Sequence, residues 1–218
     1  GSEINKKKIG TLGDIGVFSI RSEKMIGVGE GGVIVTNNQN LYNKIKLVAS
    51  RHSPFRRNKD PYWKKYYCSG EGYNYLMPHL LGAVGLAQIE KFKKIILPKK
   101  IEIGKLYEQI FKNDKYCFSQ KKIKNVKQVY WLNSIYFFKL NKLQVRKLGE
   151  YLYQNGVEVR SGFWPMNKMK NFKFINECGK KISEEIFNKI LVLPSNINLK
   201  KKDIEYIKNL IDKFHLKI

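Results

Sequence analysis

The stretch FSIRSEKMIGVGEGGVIVTNN, residues 18–38, restricts the fold more than any other part of the chain. Residues 17–20 and 33–36 are rich in β-branched and apolar side chains, which is typical of buried strands. The four glycines between residues 27 and 32 permit backbone angles that other residues avoid, and they let another group approach the backbone closely. Taken alone, this pattern predicts a hairpin with a flexible tip and a solvated Lys24.

The charge of the chain narrows the classes of partner. There are 42 Lys and Arg residues against 18 Asp and Glu, a formal net charge of +24. Such an excess often indicates nucleic acid, an anionic membrane surface or phosphorylated substrates. Here the lysines are scattered, and no stretch combines basic spacing with a recognisable nucleic-acid module or reaches membrane-spanning length. We therefore expect no nucleic-acid or membrane partner, although a basic nucleic-acid-binding domain stays an alternative.

Cysteine usage indicates the compartment. Cys68, Cys117 and Cys178 are odd in number and far apart, and they form no CxxC pair. This spacing argues against a disulfide framework and a zinc site, and the three histidines show no metal-ligand spacing either. We expect a cytoplasmic protein without a metal site. Because the chain opens without methionine, we interpret it as processed or as a piece of something longer.

The first half alternates between helical and irregular segments. A short amphipathic helix follows the polar run NNQN, with three apolar residues on one face: Leu41, Ile45 and Val48. Residues 51–76 are aromatic, basic and irregular, which is typical of a functional loop. A helix begins near Pro78, and we expect a break at Pro98 before the next helix. With only two convincing strands, this half is too thin for a complete α/β domain.

The second half, from about residue 113, predicts a small α+β domain. Strands are expected in VYWLNSIYFFKL (residues 129–140), in VEV (157–159) and in LVLP (191–194). Helices are expected around Val145–Leu152, over residues 184–190, and around the final apolar stripe: Ile204, Ile207, Leu210, Ile211 and Phe214.

An ordered series of segments resembles a known family. The segments are GTLGDIGVFS, a lysine five residues after that serine, GEGGVIVTNN, GYNYLMP, GAVGLAQIEKF, YWLNSI, GVEVRSGFWPMNKM and LVLPSN. Together they resemble the DegT/DnrJ/EryC1/StrS sugar aminotransferases, which use pyridoxal 5'-phosphate. The resemblance implies the aspartate-aminotransferase-like fold (fold type I) of the α/β class. Residues 1–112 would be the C-terminal part of the large cofactor-binding domain, with its interface loop and linking helices, and residues 113–218 the small α+β domain. The N-terminal part of the large domain would be missing, so we expect the chain alone to be an inactive fragment.

The resemblance also implies roles for individual residues. Lys24 lies where the family's lysine forms a Schiff base with the cofactor, and Ser19 lies where a hydroxyl binds the cofactor phosphate. Asn74 lies where the family's asparagine reaches across a homodimer interface to the phosphate of the partner's cofactor. Phe163 and Trp164 resemble positions that line the sugar site. Ordinary alternatives remain: a strand serine, a turn asparagine and core aromatics.

Some positions depart from the family's pattern. Leu76 stands where an arginine usually follows NY, and Asn167 stands where a histidine is frequent. An arginine lost in this way removes a bidentate contact to an anion. Other segments resemble enzymes that aminate C4 of GDP-linked or UDP-linked 4-keto-6-deoxy sugars, with glutamate as the expected donor, for surface polysaccharides. A family member that binds cofactor without transamination, such as a regulator, and an inactive remnant are the alternatives; Lys24 argues against the first, because such members carry histidine there.

Overall fold

The chain folds into two units, and the computed structural model describes residues 1–172 and 180–216. The first unit comprises Gly1–Ile95 with Asn125–Lys127, and the second comprises Ile96–Lys124 with Gln128–Ile218. The predicted domain boundary after residue 112 remains a prediction. Cys178 lies outside the described residues.

Nine strands and six α-helices make up most of the regular structure of the described residues. The strands are β1 (Glu3–Ile4), β2 (Lys7–Lys8), β3 (Gly16–Ser19), β4 (Gly32–Val35), β5 (Phe118–Ser119), β6 (Val126–Lys127), β7 (Asn133–Tyr136), β8 (Arg160–Ser161) and β9 (Ile190–Leu193). The helices are α1 (Gln39–Ala49), α2 (His79–Lys91), α3 (Leu97–Ile110), α4 (Lys142–Gln154), α5 (Lys180–Lys189) and α6 (Lys201–His215).

The first unit contains two small antiparallel sheets. Strands β2, β1 and β6 form one sheet, and β3 and β4 form a two-stranded ribbon. Helix α1 begins where the polar run predicted, because the Asn38 side chain accepts hydrogen bonds from the amides of Asn40 and Leu41. Residues 51–76 are irregular, as expected, apart from a 3-10 turn at Tyr62–Lys64.

In this chain by itself, the strands of the ribbon are not buried as the sequence predicted. Val17 lies opposite Ile34, and Phe18 lies opposite Val33. Their exposures range from 37% for Phe18 to 70% for Val17. An apolar strand is buried on both faces only where other layers cover it, and among the described residues these two strands pair only with each other.

The expected helix break at Pro98 is also wrong. The helical residues continue from α2 through a π-helical turn, Phe92–Ile96, into α3, where Pro98 lies in the first turn. Proline lacks an amide hydrogen and its ring clashes with the carbonyl four residues earlier in an α-helix. A wider turn just before Pro98 relieves both problems, and we attribute the continuous helix to it.

The second unit contains an antiparallel sheet of four strands in the order β5-β7-β9-β8. Its hydrophobic core includes residues of α3, α4, α6 and the sheet: Ile103, Tyr107, Phe111, Cys117, Ile135, Phe137, Leu140, Val145, Leu148, Leu152, Val157, Leu191, Leu193, Ile204, Ile207, Leu210, Ile211 and Phe214. The apolar faces predicted for α4 and α6 are therefore confirmed as core faces.

Two of the three strands predicted here differ in position from the observed strands. The candidate at 129–140 shortens to β7, and the candidate at 157–159 is replaced by β8, whose Arg160 pairs with Val192. Continued in the same register, the ladder would bring residue 158 opposite Pro194, which has no amide hydrogen to donate. The strand therefore begins after the β-branched run at 157–159 that the sequence suggested.

Candidate active site

Backbone hydrogen bonds close the loop between β3 and β4. The amide of Ile20 donates to the carbonyl of Gly31 (3.1 Å), and the amide of Val28 donates back to Ile20 (3.0 Å). The amide of Ser22 donates to the carbonyl of Gly29 at 2.8 Å. These bonds continue the pairing of the two strands into the loop, so the predicted flexible tip is instead an ordered turn.

Two glycines of this loop are favoured by the local backbone, one for its close packing and one for its φ angle. A Cβ atom at position 27 would lie 2.6 Å from the carbonyl oxygen of Ser22. Gly31 has a φ of +155°, and a Cβ there would lie 2.7 Å from Cε of Met77. At position 27 the clash is with backbone, so a larger residue would displace the loop. At position 31 the Met77 side chain could move aside, and it is the positive φ that disfavours a larger residue.

Lys24 is held within this loop and is half-buried, in contrast to the solvated lysine that the local pattern suggested. Its amide donates to the carbonyl of Arg21 at 2.9 Å, which fixes the backbone of a tight turn. The Arg21 guanidinium contacts Glu30 at 3.1 Å and Glu23 at 3.5 Å. The chain therefore presents a primary amine, the nucleophile that condenses with aldehydes and ketones, on a well-defined backbone.

Ser19 is the last residue of β3 and is exposed. It lies opposite Gly32 in the ladder, so the neighbouring position on its face carries no side chain. Its Oγ accepts a long hydrogen bond, 3.5 Å, from the amide of Arg21. The hydroxyl is thus available to an external anion, in the same hairpin as Lys24.

Asn74 lies in an extended segment that is bonded to the C-terminal end of α1. The amide of Tyr73 donates to Val48 (2.7 Å), and the amide of Tyr75 donates to Ala49 (2.9 Å). The rings of Tyr73 and Tyr75 stack 5.0 Å apart, so they share one face of the segment. Because side chains alternate along an extended chain, Asn74 projects from the opposite face, where it is exposed.

Phe163 and Trp164 belong to the second unit and follow β8. They are 79% and 53% exposed, so they lie outside the hydrophobic core of this chain. The Trp164 ring packs against Phe187 with 4.7 Å between centroids. Their role in binding a sugar remains a prediction.

Sequence reasoning missed two sets of contacts around these residues. One is the Arg21–Glu30 ion pair beside Lys24, whose signal is a pair of opposite charges, Arg21 before the glycine run and Glu30 within it. The other is Glu184, whose carboxylate accepts from Nδ2 of Asn167 at 2.8 Å. Glu184 lies seventeen positions after Asn167 in the sequence, and no local pattern indicates that the two residues are in contact.

The described residues contain neither a cluster of metal ligands nor a membrane-spanning helix. Within residues 1–172 and 180–216, no three His, Cys, Asp or Glu side chains converge where they could hold a metal ion. In the same part of the chain, every helix is too short or too polar to cross a bilayer.

The sequence of the chain matches known proteins along nearly its whole length. The profile of the DegT/DnrJ/EryC1/StrS aminotransferase family matches residues 1–212. GDP-perosamine synthase of Escherichia coli O157:H7 is 30% identical over 217 residues, which cover 99% of this chain and 56% of that protein. A UDP-4-amino-4,6-dideoxy-N-acetyl-beta-L-altrosamine transaminase of Campylobacter jejuni is 30% identical over 211 residues, 96% of this chain and 54% of that protein. The chain thus spans about half the length of these relatives.

Solved structures agree with this match. Helicobacter pylori PseC, an aminotransferase involved in the biosynthesis of pseudoaminic acid, superposes with a TM-score of 0.86 at 25% identity, covering 100% of this chain and 57% of that protein. The aminotransferase TlmJ of Streptoalloteichus hindustanus superposes with a TM-score of 0.85 at 18% identity, covering 99% and 56%. These matches confirm the predicted fold class, the aspartate-aminotransferase-like fold of pyridoxal-phosphate-dependent transferases.

Proposed function

Because this chain belongs to the DegT/DnrJ/EryC1/StrS aminotransferase family, we propose that it forms part of a pyridoxal 5'-phosphate-dependent sugar aminotransferase. The reaction would place an amino group on C4 of a nucleotide-diphosphate 4-keto-6-deoxy sugar, with glutamate as donor, for surface polysaccharide biosynthesis. The enzyme would act in the cytoplasm. The observation that carries the proposal is Lys24, a half-buried lysine on an ordered glycine loop. The names of the two relatives that act on GDP-linked and UDP-linked sugars support the substrate class.

The residues present fit pyridoxal 5'-phosphate. The amine of Lys24 is the group that bonds to the cofactor's aldehyde carbon, and the hydroxyl of Ser19 and the amide of Asn74 can donate hydrogen bonds to phosphate oxygens. Ser19 is exposed at the end of its strand, beside a glycine, which leaves room for an anion there. The site would need no metal.

Each residue would then have a distinct task. Once bound, the cofactor supplies an electron sink for the carbanion formed from the amino donor. Lys24 would hold the cofactor between turnovers and, when its amine is free, move the proton on and off the donor's α-carbon as a general base and acid. The ordered backbone of its loop would keep that amine within reach of the reacting carbon.

The remaining assignments concern assembly and substrate. We propose that Asn74 reaches the phosphate of the cofactor in the partner subunit of a homodimer with shared active sites. We propose that Phe163 and Trp164 line the sugar site. Leu76 offers no charge to a diphosphate, so other cations would have to bind that group.

The test compares variants of what we call the extended protein: this chain joined to the upstream large-domain segment that the resemblance implies. After incubation with pyridoxal 5'-phosphate, we expect a new absorbance band near the edge of the visible range. Borohydride should then fix the cofactor to the peptide that contains Lys24. Lys24→Ala should lose both signals, whereas the control Lys44→Ala, which changes an exposed lysine of the same unit, should keep both. A band that persists in Lys24→Ala, or none in the wild type, would contradict the proposal.

Two further assays separate the alternatives. Amino transfer from glutamate to GDP-linked and UDP-linked 4-keto-6-deoxy sugars distinguishes an aminotransferase from a protein that only binds the cofactor. Titration with duplex DNA at increasing salt distinguishes a nucleic-acid-binding domain, which would show strong, salt-dependent affinity. We expect amino transfer and no such affinity.

A further inference from the structure

Helix α5 contacts the segment that carries the two exposed aromatics. Glu184 and Phe187 are three residues apart on this helix, so they lie on one face. The Phe187 ring packs against Trp164, with 4.7 Å between centroids and 43° between the ring planes. Oε1 of Glu184 accepts a hydrogen bond of 2.8 Å from Nδ2 of Asn167. Two points of the segment are therefore attached to the same helical face.

The carboxylate of Glu184 also binds the next residue. Its Oε2 lies 3.2 Å from Nζ of Lys168, so each oxygen contacts a different side chain of the segment. The Glu184 side chain is 26% exposed and that of Lys168 is 48% exposed, so the carboxylate is the more shielded partner of the pair. Hydrogen bonds to a charged acceptor are about twice as strong as those between neutral groups. One shielded carboxylate thus fixes two consecutive residues.

A third contact fixes the start of the segment. A Cβ atom at Gly162 would lie 2.4 Å from Cγ2 of Ile190, so the backbone packs directly against the end of α5 and the start of β9. Phe163, between this contact and Trp164, remains 79% exposed. The backbone on both sides of the Phe163 ring is therefore held while the ring itself faces solvent.

We infer that Glu184 and Phe187 are positioning residues that hold the Phe163–Trp164 pair in place for the acceptor sugar. This inference rests on the proposed function, in which those aromatics line the sugar site. Ordering a loose loop costs binding free energy each time a ligand binds, and a loop that is already ordered avoids that cost. Removal of either contact should therefore weaken binding of the acceptor and leave the chemistry at Lys24 unchanged.

The first test measures amide hydrogen exchange of this chain, which requires neither cofactor nor substrate. In Glu184→Ala and Phe187→Ala, peptides covering residues 162–169 should exchange faster than in the wild type. Glu184→Gln retains an oxygen that can accept from Asn167 but loses the ion pair with Lys168, so its exchange should lie between those of the wild type and Glu184→Ala. The matched control Glu185→Ala removes the adjacent carboxylate, which accepts from the hydroxyl of Tyr136 instead, and should also leave these peptides unchanged. Unchanged exchange in both Glu184→Ala and Phe187→Ala would overturn the inference.

A variant on the other side of the same hydrogen bond guards against a misfolded helix. Asn167→Ala leaves α5 intact and removes the donor to Glu184. It should accelerate exchange in residues 162–169 without changing the exchange of α5. Normal exchange in Asn167→Ala would show that the hydrogen bond does not hold the segment.

The second test uses steady-state kinetics of the extended protein with bound pyridoxal 5'-phosphate. Glu184→Ala should raise the KM for the acceptor sugar by about 3- to 30-fold, with the KM for glutamate and kcat close to wild type. Phe163→Ala serves as the reference and should raise the same KM. If Phe163→Ala raises it and Glu184→Ala does not, the inference is wrong while the proposed function stands. If wild-type protein transfers no amine, the proposed function fails, and with it the role in acceptor binding, whatever the exchange data show.

Discussion

At the scale of single residues, Asp114 offers the clearest electrostatic test. Its side chain is 4% exposed, and it accepts from Nζ of Lys208 at 2.9 Å and from the amides of Tyr116 and Cys117 at 2.7 and 3.0 Å. Burial alone would raise the pKa of this carboxyl group, but these hydrogen bonds outweigh burial, and the pKa is lowered. The charged form is therefore stabilised by folding.

We expect Asp114→Asn to destabilise the second unit by about 1–3 kcal/mol at pH 7, because a shielded ammonium group loses one carboxylate partner. A lowered pKa in the folded state means that this stabilisation is complete above the unfolded pKa, near 3.8. It is lost as the pH falls through the lower folded pKa. The difference in urea midpoint between wild type and variant should accordingly shrink toward zero in that acidic range.

The control for this prediction is Asp212→Asn. Asp212 contacts the same lysine at 2.6 Å, but its side chain is 46% exposed. A more exposed pair contributes less, so we expect a smaller change in stability. A pH-independent difference for Asp114→Asn would show that its effect comes from packing and not from charge.

The individual residues also show what the sequence could predict about the candidate site. Lys24, Ser19 and Asn74 lie in ordered motifs, and the type of each side chain suggests its chemistry without coordinates. Glu184 and Phe187 could not be found in this way, because the role we infer for them depends on contacts with a segment that is distant along the chain. Contacts of that kind follow from the pairing of β8 with β9, which no local pattern specifies.

At the scale of elements, the sequence located helices more accurately than strands. Helix α4 begins at a capping box formed by Asn141 and Gln144 and ends before Gly156, which has a φ of +77°. Signals of this kind are local, so they can be read from the sequence. Strand β8 lies outside the predicted run at 157–159, because its position depends on the register with its partner.

Two glycines in helices give opposite predictions for the same substitution. A Cβ atom at Gly104 in α3 would lie 2.0 Å from Cγ of Tyr130, which is 8% exposed and donates a hydrogen bond to Glu108. The ring cannot easily move away, so Gly104→Ala should destabilise the protein by about 1–3 kcal/mol. At Gly149 in α4 the nearest atom, in Leu191, would be 3.6 Å away, an ordinary contact. Gly149→Ala should therefore stabilise the protein by about 0.5–1 kcal/mol through helix propensity.

Urea unfolding of the two variants tests this pair directly. The midpoints should move in opposite directions from that of the wild type, with similar m values. A Gly104→Ala variant as stable as the wild type would mean that Tyr130 relocates without cost. In that case the hydrogen bond from Tyr130 to Glu108 contributes little to the packing of α3.

At the scale of the whole molecule, the two units differ in how much apolar surface they bury. The hydrophobic cluster of the second unit contains residues from position 103 to position 214. In the first unit, the ribbon of β3 and β4 exposes 70% of Val17 and 49% of Ile34. Sequence patterns correctly marked these strands as apolar, but they could not show which other parts of a protein cover them. Large apolar patches on a folded unit mark surfaces that another element covers.

We therefore expect this chain alone to bind the dye ANS strongly and pyridoxal 5'-phosphate weakly, and the extended protein to reverse both properties. Substitution of a side chain on this surface should then change dye binding by the chain alone and the thermal stability of the extended protein. Ile34→Thr should reduce dye binding by the chain, because less apolar surface is exposed, but it should lower the Tm of the extended protein, where we expect that surface to be buried. Ile123→Thr changes an isoleucine of the second unit that is 63% exposed and should affect neither protein appreciably. Equal stability of the extended protein with Ile34 or Thr at this position would show that the ribbon stays uncovered. The loop that holds Lys24 would then have to bind its cofactor without the support of a sheet beneath it.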